Sequence, residues 1–338
     1  MGAGLDLLEA ARATQQMMPG DVSYVLPLKW QEDSELPELT SYLRWLSEQV
    51  AQVIVVDGSP PEVFAVHARE WGSHVLHVRP DPRLGFRNGK ALGATTGVRL
   101  AETEAVVIAD DDVRYDRRSL ERVAALLRAH DLVRPQNFFD PLPWHAAWDS
   151  ARSLINRSVA TDYPGTLGIR KSLFERAGGY DGDVLFENLE LIRTLRAAGG
   201  REAAPLDLYV RRRPPETSRF FDQRVRQAYD EFALPGRMAV WLSIVPALVW
   251  AARRRAYCHV AIAAGASVAV AEVGRRRGGG AAVFPARASL FAPAWLLERG
   301  VCMWLAVARR ARDGGVRYAD GVIERAATPM KELERRFG

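Results

Sequence analysis

Cysteine is nearly absent from this chain: its 338 residues contain two, Cys258 and Cys302. Two thiols build neither a disulfide framework nor a zinc-ligand spacing. Both sit in apolar stretches, where a thiol behaves as a small buried hydrophobe. The first residues lack the charged-then-apolar pattern of a secretory signal, so the catalytic part is expected in the cytosol. There is no Walker-type phosphate loop, no ordered Ser/His/Asp series and no nucleic-acid-binding module. A sugar-phosphate nucleotidyltransferase would carry a glycine-rich loop after its first strand, and here that place holds Lys29-Trp30-Gln31-Glu32.

What the chain does have is acid concentrated at one point and arginine at many. Three consecutive aspartates, Asp110, Asp111 and Asp112, directly follow the apolar run Ala105–Ala109. Adjacent carboxylates at a strand end repel one another, and a divalent cation relieves that repulsion. Hard ions such as Mg2+ and Mn2+ favour carboxylate oxygens and commonly add substrate phosphates. The net charge is +5, and arginine supplies most of the positive side, in runs such as Arg211–Arg213, Arg253–Arg255 and Arg275–Arg277. Such runs suit phosphorylated substrates or an anionic membrane surface.

Along the chain, residues 1–20 read as a tail with no evident role. Apolar runs of strand length follow at 22–28, 53–56, 75–78 and 105–109. Val53-Ile54-Val55-Val56 is continuous, as in a strand covered on both faces. Leu36, Leu39, Leu43, Leu46 and Val50 recur at helical spacing, and helices are also expected over 62–71 and 89–101. Strands alternating with helices predict a parallel sheet with right-handed crossovers. Ligands of such sheets bind beyond the carboxyl ends of the strands. Asp57, in the turn Asp57-Gly58-Ser59-Pro60, and the aspartate run both fall on that edge.

Beyond residue 236 the composition shifts to apolar blocks at 238–252, 256–273 and 281–308, punctuated by the arginine triplets. The second block has the length of a membrane-spanning helix and the first is short for one. Trp241, Trp250, Trp295 and Trp304 flank them as interfacial aromatics do. The expected organisation is a tail (1–20), a catalytic domain (21–235), an apolar helical region associated with a membrane (236–308) and a charged cytosolic tail (309–338).

Four segments of the catalytic part fall in order: Val53–Ser59, Asn88-Gly89-Lys90-Ala91, Ala109–Asp112, and Gly178-Gly179-Tyr180-Asp181 leading into Phe186–Leu191. This series resembles the family 2 glycosyltransferases, over residues 21–235. A fifth segment, Gln223-Arg224-Val225-Arg226-Gln227, is similar to the QxxRW signature of the membrane-bound branch, with Gln227 where that signature has Trp. The resemblance implies an α/β, GT-A fold, Rossmann-like with a mostly parallel sheet flanked by helices. A helical, membrane-associated C-terminal region follows it. It implies a nucleotide-diphosphate sugar as donor. On that basis Asp57 contacts the base or ribose, Lys90 the nucleotide, and Asp110 the nucleoside side. Asp112, with Asp110, holds Mn2+ or Mg2+, and Asp111 shares either task. Arg224 and Arg226 bind the diphosphate through forked donors.

The family carries Glu-Asp where this chain has Glu187-Asn188, and a carboxamide takes no proton. Glu187 and Glu190, three apart on one helical face, are the carboxylates left for that role, Glu187 first. Both also fit as helix-start acids favoured by the dipole. Gly165–Lys171 resembles the strand that closes the sugar pocket, and Trp144 and Trp148 lie where acceptors bind. Loss of the signature Trp points to a single transfer, to a small or lipid hydroxyl, and away from processive polymerisation. The expected protein is a metal-dependent, inverting glycosyltransferase on the cytoplasmic membrane, its catalytic domain facing the cytosol, with no nucleic-acid partner. The alternative, motivated by Asn188, is a non-catalytic, membrane-attached nucleotide-sugar binder or assembly partner.

Overall fold

Apolar runs bounded by turn residues are driven inside as strands, and the helices between them cover both faces. In the computed structural model, which describes residues 21–32, 35–318 and 321–338, the first four strands are β1 (Val22–Leu28), β2 (Gln52–Asp57), β3 (Leu76–Val78) and β4 (Ala105–Ala109). They pair in parallel in the order β3-β2-β1-β4. The helices Leu36–Ser47, Pro61–Trp71 and Gly89–Leu100 connect them. The expected tail over residues 1–20 lies outside the described residues.

Six strands follow: β5 (Val113–Arg114), β6 (Leu132–Val133), β7 (Gln136–Phe139), β8 (Thr166–Arg170), β9 (Glu202–Ala203) and β10 (Tyr209–Arg212). The main sheet has the order β3-β2-β1-β4-β8-β6-β9. The sequence pattern predicts parallel pairing, and β8 departs from it by running antiparallel to both β4 and β6. The register pairs Thr166 with Ala109. The chain therefore enters β8 at the carboxyl edge of β4 instead of crossing back beneath the sheet. This brings Gly165 beside Asp110, whose backbone N–H donates to the Gly165 carbonyl at 2.9 Å. A Cβ on Gly165 would lie 2.7 Å from Asp110 Oδ2, so any larger residue there would push that carboxylate aside.

A second, small sheet has the order β5-β10-β7. It pairs Arg212 with Val113, the residue after the aspartates. Arg213 N donates to Asp112 O at 2.8 Å. This sheet lies against the acidic turn and aims the Arg212 guanidinium into it.

The apolar C-terminal part folds as helices Pro235–Arg253, Tyr257–Arg276, Ala286–Leu290 and Ala292–Asp313. They share a core with the helix Trp144–Val159, through Ala151 and Leu154 on one side and Ala271, Trp295 and Met303 on the other. At Gly274 a Cβ would stand 1.8 Å from the Leu154 carbonyl oxygen, so glycine is what lets these two helices close. Two helices, Pro235–Arg253 and Tyr257–Ala282 (counted across a turn at Gly278 and Gly279), are long and apolar enough to cross a membrane. Their most apolar windows are 11% and 17% buried in the protein.

Trp250 and Trp304 are exposed, but Trp241 and Trp295 face each other edge-on at 5.5 Å and are buried between helices. That pair is core, not interfacial anchor. Cys302 is buried as expected, whereas Cys258 is exposed at the start of its helix. The charged tail is also structured: β11 (Val316–Tyr318) and β12 (Gly321–Ile323) form a hairpin, and the helix Met330–Phe337 follows. Leu185 N donates to Arg325 O at 3.0 Å and Phe186 N to Ala326 O at 2.8 Å, which ties this tail to the chain entering Glu187.

Candidate functional site

The carboxyl ends of β1 and β4, the start of the helix Gly89–Leu100, β10 and the segment 223–237 surround one cleft of about 1040 Å³. Lys90 stands on its wall because Asn88 caps the helix behind it, accepting from Lys90 N at 3.0 Å and Ala91 N at 3.3 Å. The cap is itself held, since Asn88 Nδ2 donates to Val184 O at 2.9 Å. From there Lys90 Nζ reaches Asp110 Oδ1 at 2.5 Å and Glu187 Oε1 at 2.7 Å. Burial works against the ammonium, but the charges of Asp110 and Glu187 outweigh it and raise its pKa well above the usual lysine range.

Every aspartate of the run has a resident partner, and Asp110 and Asp112 share one. Arg212 Nε donates to Asp112 Oδ2 at 2.8 Å and its Nη2 to Asp110 Oδ2 at 3.3 Å. Trp30 Nε1 donates to Asp111 Oδ2 at 2.6 Å. Resident cations and an indole thus relieve the repulsion that the sequence alone assigns to a metal. Burial pushes the Asp112 carboxyl up to about 6 against the pull of Arg212, with Asp110 and Asp111 adding to the rise. Asp112 Oδ1 is buried with no hydrogen-bond partner. A hard carboxylate oxygen left unpaired beside a second carboxylate is a donor set that fits Mg2+ or Mn2+.

Asp57 is elsewhere. It is fully buried and does not line the cleft. His67, from the helix Pro61–Trp71, donates to its Oδ2 at 2.7 Å, and His77, on β3, donates at 3.0 Å. Ser59 N donates to Oδ1 at 2.8 Å. Burial opposes the charge, but these bonds hold the carboxyl below the usual carboxylate range. Among the described residues, Asp57, His67 and His77 are the group of three metal-ligand types whose ligand atoms lie within 4.8 Å of one another. The hydrogen bonds already engage those atoms, so the cluster stands as an ionised aspartate clamped by two rings.

Glu187 and Asn188 line the cleft, and Asn188 Nδ2 donates to Pro164 O at 3.0 Å. Glu190 is fully buried off the cleft, where it accepts from Thr328 N at 2.6 Å. Burial pushes its carboxyl above the usual range, against that hydrogen bond. Arg224 and Arg226 both line the cleft. Arg224 is committed inside, with Nη1 on Asp149 Oδ1 at 3.0 Å and Nε on Phe220 O at 3.0 Å. Burial works against Asp149's charge, but Arg224 and Arg152 bring its carboxyl down to about 2. Trp144 and Trp148 are not on the cleft wall. Asp149, Arg152 and Asn156 set the cleft face of that helix. Trp148 Nε1 donates to Glu298 Oε2 at 3.2 Å, and Trp144 is half exposed against Phe221.

Several cleft residues carry no motif. Arg212 is the middle of a triplet that reads only as charge, and strand alternation is the signal that turns it inward. Asp230 follows directly on the arginine-bearing segment. It lines the cleft, and its Oδ1 is buried without a partner. Burial pushes this carboxyl up to about 7, opposed by Arg226 and reinforced by Glu187.

No protein-family model matches the chain, and no curated protein matches it. Among solved structures it is similar to the mannosyltransferase PcManGT from Pyrobaculum calidifontis, in complex with GDP-Man and Mn2+. The two are 19% identical, with 89% of this chain and 94% of that chain covered and a TM-score of 0.48.

Proposed function

We propose that this chain is a glycosyltransferase of GT-A architecture, close to the membrane-associated branch of family 2. It would move a sugar from a nucleotide-diphosphate donor to an acceptor hydroxyl with inversion. One observation carries the reading. Lys90, the aspartates 110–112 and Glu187 come from three separate sequence motifs, yet all line one cleft at the carboxyl edge of a parallel sheet. That edge is where such sheets bind ligands.

In this reading Asp110 and Asp111 face the nucleoside, and Lys90 meets the diphosphate as a point charge. Arg226, which makes no hydrogen bond or ion pair among the described residues, adds a forked donor for phosphate. Mn2+ or Mg2+, held by Asp112 with Asp110, would offset charge on the departing diphosphate. Glu187 stays on the donor side, its charge matched by Lys90. Trp144 and Trp148 remain the proposed acceptor aromatics, at the outer end of their helix. Asp57 makes no donor contact in this reading, since its carboxylate is already engaged by His67 and His77.

The acceptor is proposed to be lipid-borne, with the protein on the cytoplasmic membrane and the cleft toward the cytosol. The two long apolar helices and their exposed Trp250, Tyr257 and Ile262 support this. Binding without turnover is the second reading, favoured by Asn188 in the usual base position. A thermal-shift screen of nucleotide sugars with Mn2+ or Mg2+, including GDP-mannose, tests the first. A ligand that prefers the native state raises the melting temperature. A screen in which no nucleoside diphosphate or nucleotide sugar shifts the melt would overturn it, and a shift without donor turnover would favour the binder.

A further inference from the structure

We propose that Asp230 is the group that takes the acceptor's proton, replacing the aspartate whose place Asn188 fills. This rests on the glycosyl-transfer reading. Availability singles it out among the cleft carboxylates that are withdrawn from solvent, which leaves out the exposed Glu32, Glu35 and Glu216. Asp110 is held by Lys90 and Arg212, Asp111 by Trp30, and Asp112 by Arg212. Asp149 is held by Arg224, Glu187 by Lys90, and Glu231 by Arg237. A carboxylate whose lone pairs already face a cation is a poor proton acceptor. Glu190 is on the wrong side of its helix. Asp230 is partly buried, lines the same cleft and makes no ion pair or hydrogen bond among the described residues, with Oδ1 shut off from solvent. The Asp230 carboxylate therefore borders the cleft uncommitted to any cation or donor, free to accept from an acceptor hydroxyl there.

The position is compatible with the step. Asp230 starts the single turn Asp230–Ala233, directly after the helix Arg224–Tyr229 that carries Arg226. The charged groups acting on it, after burial itself, are Arg226, Glu187, Arg299 and Glu231. A carboxyl lifted to about 7 is matched to proton transfer at neutral pH. In the reaction the acceptor oxygen bonds to the anomeric carbon while its proton moves to the Asp230 carboxylate. The bond from that carbon to the diphosphate oxygen breaks, and the electron pair leaves with the nucleoside diphosphate, where Lys90 and Arg226 meet its charge. Asp230 then returns the proton to water.

Asp230→Asn keeps the shape and removes the basic oxygen. With the full chain, calorimetry should show nucleoside diphosphate binding within about threefold of wild type, while donor turnover falls by at least about 100-fold, the size of a general-base contribution. The rising limb of the wild-type rate profile near pH 7 should vanish. Asp230→Gly should regain part of its rate with added formate, which a merely structural role would not produce. Turnover of Asp230→Asn within threefold of wild type, or an unchanged pH profile, overturns the assignment while leaving glycosyl transfer standing. Donor binding with no turnover in the wild type replaces both with the binder reading. Absence of any nucleotide binding by wild type defeats the functional reading, and Asp230's role with it.

Discussion

Lys90 is one ammonium serving two carboxylates from distant elements, so its removal has a readable signature. Lys90→Met should leave Glu187 without its cation and Asp110 with Arg212 alone. Stranding a buried acceptor costs about 1–3 kcal/mol, which a urea midpoint will register. Nucleoside diphosphate affinity should drop at least about tenfold in the same protein, or about 1.4 kcal/mol. Asp230 and Glu190 give a second residue-scale effect. Their folded carboxyls are held above the ordinary range. Each therefore binds its proton more tightly folded than unfolded, and stability falls as pH rises from about 4 toward 7. The denaturation midpoint should be higher at pH 5.5 than at pH 8, and Asp230→Asn should flatten part of that difference. Lys90, the aspartates and Glu187 are legible in sequence because short motifs mark them. Asp57 carries a motif too, but no local pattern tells that His67 and His77 fold back onto it. Arg212 and Asp230 are marked by nothing local, because their role comes from a strand register and a helix end.

At the scale of elements, the parallel half of the sheet follows from apolar periodicity, and its strands and helices match expectation within a few residues. The direction of β8 does not follow, because a run of buried residues reads the same both ways along a strand. Helix-on-helix closure is equally silent until a glycine exposes it. At Gly274, Ala would drive its methyl into the Leu154 carbonyl. Overpacking of this kind costs about 1–3 kcal/mol. Gly274→Ala should lower the melting temperature and loosen Tyr257–Arg276 from Trp144–Val159, seen as faster amide exchange in both helices. Amides of β1 and β2, in a different core, should keep their protection.

Across the whole molecule, polar and apolar surfaces are segregated. The cleft side carries the paired charges, and the helices Pro235–Arg253 and Tyr257–Arg276 carry exposed Trp250, Ile262 and Val273. Exposed apolar surface of this kind fits the proposed membrane association. The protein should float with vesicles containing anionic lipid. Trp250→Glu combined with Ile262→Glu should cut recovery severalfold while leaving the melting temperature within about 2 °C, since exposed substitutions change stability little.

The tail described above has a reach out of proportion to its length. Arg325, Ala326 and Thr328 are what Leu185, Phe186 and Glu190 lean on, so the wall bearing Glu187 does not stand unaided. A protease nick just past Ile323 should slacken that wall from behind and weaken nucleotide binding without touching a residue of the cleft.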